Sequence, residues 1–536
     1  MGNPIYVIAY DVGTTGVKTC LFSITDKIEL LGAASEGYNL YVYPDGGAEQ
    51  DPDEWWEAMR TSTHTVMKKA KIKKSDISGI SFCSQMQALV LVDKEGNAVR
   101  RAMSYMDQRA REELKKGIAY GPQIAGANIP KLLKALKITG AVAASVKDPV
   151  WKYKWVEAHE PDAFNRAYKW LDVKEYLIGR MTGEFVMTQD SAFASMLYDI
   201  HKKCWSEEMC KIYGINPKHL AKIVKCTDKV GELSKKAADE LDLEPGTAVF
   251  GGGGDASLIG VGAGSVDLGD THVYSGTSGW VSTVVDKSVV DTSAMIAAIV
   301  GARDGYYNYF AELETAAKCV EWVKDHLALD EIDIYLDKSK NLKHGKADQE
   351  VIYTNLYDYM MAVENTEPAG SNGVVFTPWL HGNRCPFEDP NSRGMFFNIS
   401  LETGKSEMIR AVVEGVCFHM RWLLETEAKK VSTSNTIRFV GGGALNVTCQ
   451  ILADCTGRTV ETVDSPQNIG AVGAAVTIAV GTGLIKNIGE AKKLIPAAKV
   501  FKPNPALKPV YDRNYKVYTN LYKANKENFA ILNGDN

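Results

Sequence analysis

The stretch VIAYDVGTTGVKTCLF, Val7 to Phe22, decides how this chain is read. An apolar run ends near Asp11, a Gly13-Thr14-Thr15-Gly16 corner follows, and a second strand-like run begins at once. The pattern predicts strands at Tyr6–Ala9 and Lys18–Ile24, with a third around Leu30–Ala34 after the Asp26-Lys27 turn, forming an antiparallel meander. Glycines let successive backbone N–H groups face an anion without a Cβ in the way, and Thr14 and Thr15 add hydroxyl donors. An acid at the lip repels phosphate, so Asp11 makes sense there only with a divalent cation between the two. Taken alone, the corner is also what an ordinary hairpin turn looks like.

The corner occurs twice. THVYSGTSGWVSTVV, Thr271 to Val285, again reads strand, Gly276-Thr277-Ser278-Gly279, strand, and Gly13 to Gly276 is an offset of 263 in 536 residues. Such an offset indicates a duplicated domain, not a short-period solenoid. A division near residue 260 is expected, after the run GGGGDASLIG, giving units 1–260 and 261–536. Two corners of this kind can grip one polyphosphate from both sides.

Size agrees with two large domains, because 536 residues exceed what one ordinary core sustains. A net charge of −5 gives no electrostatic footprint for nucleic acid or anionic lipid, so a small-molecule partner is expected. Ten cysteines are scattered without a CxxC pair, and His201, Cys204 and Cys210 lack a fourth ligand at zinc-site spacing. With no signal-peptide pattern and no apolar run of membrane-spanning length, the expected location is cytoplasmic and reduced. Helices are predicted from Pro52 onward, over Trp151–His159, Ala163–Arg180, Ser206–Tyr213 and Tyr511–Phe529, with Ile77–Cys83 as a buried strand. Leu327 to Lys346, lysine-rich and poor in turns, reads as surface helices of an insertion.

Two further glycine clusters carry chemistry. In the first, strand Ala248–Phe250 feeds four glycines and then Asp255, placed where either a general base or a helix N-cap would sit. In the second, Ile437–Val440 leads into Gly441-Gly442-Gly443-Ala444 and a helical pattern at Val447–Asp454, an anion-holding corner or a close-packed turn. Glycines and alanines at Gly470–Ala475 let two helices approach closely beside it. Neither a dinucleotide GxGxxG unit nor a GxxxxGK[ST] loop is present.

The order of these pieces, with Glu49-Gln50-Asp51-Pro52, Gln85-Met86, Asp107-Gln108-Arg109, Lys152-Tyr-Lys-Trp155, Met181-Thr-Gly-Glu184 and Pro378-Trp-Leu-His-Gly-Asn-Arg384, resembles the FGGY carbohydrate kinases. Within them the pattern is most similar to xylulokinases, from Tyr6 to about Ile485. The resemblance implies two RNase-H-like α/β domains of the actin/hexokinase/Hsp70 superfamily, an interdomain cleft, and ATP-dependent, Mg²⁺-assisted phosphorylation of a sugar. Unit 1–260 would hold the sugar side, the first corner and the base; unit 261–536 the second corner, the adenosine site and the terminal helix.

By the same resemblance, Asp11 and Asp255 hold Mg²⁺, and Asp255 accepts the proton of the sugar hydroxyl. Gly13, Thr14, Thr15 and Lys18 on one side and Gly276, Thr277 and Ser278 on the other flank the ATP phosphates, with Gly441, Gly442, Gly443 and Ala444 against the α-phosphate and adenosine. Phosphoryl transfer needs charge neutralisation and positioning more than a strong base, so an Asp of ordinary pKa suffices. Gln85, Met86, Gln87, Asp107, Arg109, Asp255 and Trp280 are the candidate sugar contacts; Arg109 can instead be a surface charge on a helix shared with Arg111, and Trp280 a core indole. Gln87 stands where xylulokinases usually carry His, and Ala256 where they carry Asn. The resemblance implies a ketose, of the xylulose-type pentuloses, whereas these two departures at sugar-contacting positions point away from xylulose itself, toward another ketose, a deoxyketose or a polyol. Asn398 replaces a usual glycine, and Cys449 a usual aromatic. A homodimer is compatible, and neither nucleic acid nor membrane is expected as a partner. The rival from another class is an actin- or Hsp70-like nucleotide-switched binding protein, although only about 50 residues follow Ile485 to supply a peptide-binding domain.

Overall fold

A computed structural model describes residues 4–124, 126–326 and 367–534, so the expected insertion at Leu327–Lys346 lies outside the described residues. The first sheet runs, in spatial order, Lys229–Glu232, Ala248–Phe250, Ile77–Ser84, Ile5–Val12, Gly16–Ile24, Ile28–Gly37. Ile5–Val12 pairs antiparallel with Gly16–Ile24 and parallel with Ile77–Ser84. The second runs Val290–Asp291, Ile296–Val300, Tyr307–Leu313, Gly279–Val285, Thr271–Ser275, Thr436–Val440, Thr459–Thr462, Lys499–Phe501. Thr271–Ser275 likewise pairs antiparallel with Gly279–Val285 and parallel with Thr436–Val440. Both sheets thus carry the same five-strand order, a meander extended by parallel strands through helical crossovers. These are two RNase-H-like α/β domains.

The crossover helices form where the sequence caps them. Pro52–Ala70 starts at Asp51, whose carboxylate accepts the Asp53 N–H at 3.0 Å, with Pro52 in the first turn. Its Trp55, Trp56 and Met59 are buried against the first meander. In the second unit Lys405–Glu427 and Lys508–Asn533 cover the sheet around Trp379, Phe418 and Tyr518. The predicted Ala163–Arg180 helix is instead two helices, Pro161–Arg166 and Val173–Thr182, split by strand Lys169–Leu171. That strand pairs with Val90–Val92 and buries Trp170, a tertiary gain that outweighs the local helical pattern. Asn398 adopts φ +70°, the left-handed region that Asn tolerates best among residues with a side chain, and Cys449 is buried in the core.

Helix Ile469–Gly481 crosses from the second half of the sequence onto the first sheet. Its Val472, Ala475 and Val476 join Val7, Ala9 and Phe22 in one core with Leu258 and Val261 of helix Asp255–Gly262. The small residues read from the sequence at 470–475 permit this crossing: a Cβ on Gly473 would lie 2.2 Å from Leu258 O, and one on Gly262 2.1 Å from Ile469 O. Among the described residues no helix is long and apolar enough to cross a membrane.

Glu427, at the end of the long helix of the second unit, is fully buried and accepts the Thr283 hydroxyl at 2.7 Å. Burial pushes its carboxyl from 4.5 up to about 8, against the pull of Thr283 and Arg458. A raised folded-state value means that the native protein keeps a proton the unfolded chain has lost, so this group lowers stability progressively as pH rises from 4.5 to 8. Glu427→Gln is therefore expected to gain denaturation midpoint over the wild type from pH 5 to pH 8. A constant difference across that range, in urea titrations at several pH values, would contradict the assignment.

Candidate active site

Each corner is closed by the N–H of its first glycine, the second one residue more tightly than the first. Gly13 N–H donates to Gly16 O at 2.9 Å, and Gly276 N–H donates to Ser278 O at 2.8 Å. Consequently the N–H groups of Thr14, Thr15, Thr277 and Ser278 have no acceptor among the described residues. Glycine is a steric requirement here, because a Cβ on Gly16 would sit 2.8 Å from Glu36 O and one on Gly276 2.4 Å from Tyr274 Oη. The first corner is held from behind by Tyr38 Oη donating to Gly13 O (2.5 Å) and Gln50 Nε2 donating to Thr14 O (2.6 Å).

A third loop joins the second corner. Gly443 N–H donates to Ser275 O at 2.8 Å and Gly441 N–H to Pro466 O at 2.9 Å, just before helix Asn446–Thr456. Gly441 has φ +97°, and a Cβ there would meet Ser275 O at 2.5 Å. Gly442 faces open space, with its N–H unbonded among the described residues and nothing within 4 Å of an added Cβ. Five unpaired N–H groups around glycines suit the oxygens of a polyphosphate.

Asp11 pairs across the first hairpin with Lys18, whose Nζ donates to Gln467 O at 2.5 Å. The first turn of helix Ile469–Gly481 abuts it, since a Cβ on Gly470 would lie 2.9 Å from Asp11 Oδ2. Burial raises the Asp11 carboxyl against the opposing effect of Lys18 and the Cys83 thiol. Asp255 opens helix Asp255–Gly262 and accepts the Ala256 N–H at 2.8 Å. Its carboxyl is pushed up to about 7, chiefly by burial; the Ala256 N–H opposes this, and Asp11, Glu312 and Asp172 add to it. The sequence asked only for an ordinary Asp, whereas the fold supplies a base near neutrality.

Three groups absent from the sequence reading complete the cleft. Tyr105 Oη lies 3.3 Å from Thr14 Oγ1 and within electrostatic range of Asp255, Glu312 and Glu314. Glu312, on strand Tyr307–Leu313, accepts from Arg384 Nη1 at 2.7 Å. Tyr274, stacked at the second corner, feels both Asp11 and Asp255. Both hairpins therefore open onto one cleft. Arg384 and Tyr274 stood in quoted stretches without being singled out; Tyr105 and Glu312 carry no local signal.

The sugar candidates divide. Met86 packs over Gly254, where a Cβ would meet its Sδ at 2.1 Å. Gln87 has φ +64°, fixed by its N–H donating to Asp172 Oδ2 (2.8 Å) and its carbonyl accepting from Lys152 Nζ (2.7 Å), and its side-chain amide is unbonded among the described residues. Gln85 is buried, its Nε2 donating to Gln50 Oε1 at 2.9 Å while its own Oε1 has no partner among the described residues.

Asp107 and Arg109 are placed differently from the sequence reading. Asp107 is fully buried, with both oxygens taken by Arg109 and by the Ala48 and Arg109 N–H groups. Arg109 precedes the Arg111–Gly117 helix, bonds Glu49 at 2.6 Å and lies 4.2 Å from the Trp155 ring. They brace each other and leave no Asp107 oxygen for a sugar. Trp280 is likewise a core indole: it stacks on Tyr274 at 4.1 Å and its Nε1–H donates to His272 at 3.1 Å. Its strand position points it into the apolar layer between the sheets.

Comparisons with known proteins agree with this architecture. Residues 6–262 match the FGGY family of carbohydrate kinases, N-terminal domain, and residues 272–482 match the C-terminal domain of that family. A xylulose kinase from Bacillus subtilis (strain 168) is 26% identical over 526 residues, covering 97% of each chain. A gluconokinase from the same organism is 26% identical over 534 residues, covering 96% of this chain and 97% of the relative. The crystal structure of a ligand-bound xylulose kinase from Lactobacillus acidophilus superposes with a TM-score of 0.82 at 25% identity, covering 98% of this chain and 99% of that one. With both domain descriptions matched across most of its length, this chain belongs to the FGGY family of carbohydrate kinases.

Proposed function

We propose that the enzyme phosphorylates a neutral ketose, of the pentulose type, with ATP as donor and Asp255 as general base. The observation that carries this is the convergence of two glycine corners, one on each sheet, with unpaired N–H groups on a cleft that also holds the half-buried Asp255 carboxylate. Thr14, Thr15, Thr277 and Ser278 bind the outer phosphates and Gly441–Ala444 the α-phosphate and adenosine side. Asp11 and Asp255, carboxylates within electrostatic range of each other, would hold a Mg²⁺ ion, a cation bound through one or two carboxylates together with substrate phosphates. When bound, the ion neutralises charge on the phosphates. Asp255 accepts the hydroxyl proton of the sugar, and Tyr105, Gln87 and Met86 border the acceptor. The division into units 1–260 and 261–536, the cytoplasmic location and a homodimer belong to the same proposal. Membership of a carbohydrate kinase family removes the nucleotide-switch rival.

The gluconokinase relative supplies a second reading, in which the acceptor is an aldonate. Against it stands the charge around the cleft: Asp255, Glu312 and Glu314 lie within electrostatic range of Tyr105, and the Arg384 guanidinium is already paired with Glu312. A carboxylate at the acceptor would meet like charges. ADP release measured with D-xylulose, other ketoses, 1-deoxyketoses, alditols and D-gluconate is expected to give kcat/KM at least about 100-fold higher for a neutral ketose than for gluconate, a difference of about 2.7 kcal/mol. Preference for gluconate would reverse the assignment.

A further inference from the structure

Behind the turn that carries Asp255 lies a group of charges sealed from solvent. Lys174 and Glu175, on helix Val173–Thr182, and Asp190, on helix Gln189–Ala194, are all fully buried. Lys174 Nζ donates to Glu175 Oε1 at 2.6 Å and to Ser191 Oγ, and lies 4.0 Å from Asp190 Oδ1. Asp190 Oδ1 is occupied locally, by the Thr188 hydroxyl at 2.5 Å and the Ser191 N–H at 3.0 Å. Its Oδ2 reaches out, accepting the Gly254 N–H at 2.7 Å and the Ser257 hydroxyl. These two residues flank Asp255.

The need for an outside group follows from the sequence of the turn. Gly254 occupies the N-cap of helix Asp255–Gly262, a position that usually supplies a side-chain oxygen to the first helical N–H groups. Here Met86 packs so closely that even a Cβ would collide at 2.1 Å. Gly252, at φ +62°, is equally confined, a Cβ lying 2.2 Å from Phe82 O. The turn therefore carries no side-chain cap of its own, and Asp190 instead ties it down from 64 residues away in the chain, through the Gly254 N–H and the Ser257 hydroxyl. Stability alone does not account for a buried lysine and two carboxylates, since apolar replacements of such groups often fold as well.

We infer that Asp190, backed by Lys174, is a positioning residue for phosphoryl transfer, fixing the turn that aims the Asp255 carboxylate at the acceptor; this rests on the reading of Asp255 given above. Burial would by itself raise the Asp190 carboxyl, but Lys174, Ser257, Thr188 and the Gly254 N–H together hold it below the usual range, so it stays an anionic acceptor for the turn. Errors of about 1 Å in placing a reacting group cost on the order of 10²-fold in rate.

The test uses the full-length enzyme. Asp190→Asn is expected to lower kcat about 100-fold with KM for ATP changed less than threefold. The same substitution added to Asp255→Asn is expected to change the residual kcat less than threefold, because it acts through a carboxylate already gone. Lys174→Met with Asp190→Asn removes both charges, and should keep the melting temperature near wild type while kcat stays low. Ser257→Ala, which leaves the buried charges untouched, should lower kcat about tenfold at an unchanged melting temperature. Unchanged kcat in Asp190→Asn or Ser257→Ala, or an equal loss in both backgrounds, overturns the inference. Full turnover by Asp255→Asn alone would instead overturn the reading on which it rests.

Discussion

Asp255→Ala is expected to lose about 10³-fold or more in kcat while nucleotide still binds with near wild-type affinity, since a positioned general base contributes on the order of 10²–10⁴. The loss falls on the chemical step because Asp255 starts a separate helix and contributes none of the five N–H groups proposed for the phosphates. A proton affinity near neutrality, arising mainly from burial, matches what a base needs to accept a hydroxyl proton as the γ-phosphoryl departs. Coupled ADP assays and isothermal titration with a non-hydrolysable ATP analogue separate the two effects. Wild-type turnover in the variant would remove the mechanism; lost nucleotide binding would assign Asp255 to the donor site.

Gly262→Ala is the second large effect, this time on stability. The added methyl would lie 2.1 Å from Ile469 O and 2.9 Å from Gly473 N, both backbone atoms, so no side-chain rotation relieves the contact. Helices Asp255–Gly262 and Ile469–Gly481 must move apart, at a cost of about 3 kcal/mol typical of overpacked cores. One helix carries Asp255 and the other begins against Asp11, so the displacement also alters the spacing of the two carboxylates. The expected outcome is a melting temperature lowered by several degrees together with reduced kcat. Unaltered melting would mean that the crossing is looser than these distances imply.

What could be read in the sequence was whatever the backbone determines locally. Corners at Gly13–Gly16 and Gly276–Gly279 announce themselves because a Cβ on Gly16, Gly276 or Gly279 would strike neighbouring atoms, and the strands on either side are buried along most of their length. Their spacing in the chain revealed the doubled fold. The side chains that finish the cleft were hidden for the opposite reason. Tyr105 and Glu312 reach it, and Asp190 the turn behind it, from elements separated by tens to hundreds of residues, and no periodicity marks their arrival. Asp107, Arg109 and Trp280 looked like ligands because their residue types bind sugars well. Whether such a group is spent on its neighbours depends on burial, which for Asp107 comes from Ala48, 59 residues away.

The helix Ile469–Gly481 gives the molecule a further property. Although it follows them by more than 400 residues in the sequence, it fills the interior beside Val7, Ala9 and Phe22, which are translated well before it. A ribosome releasing the opening 260 residues therefore exposes an apolar surface whose natural cover has not yet been translated. Severed halves produced separately should stick to chaperones or precipitate, whereas the same halves made together should reassemble, with maturation of the first lobe waiting on synthesis of the last.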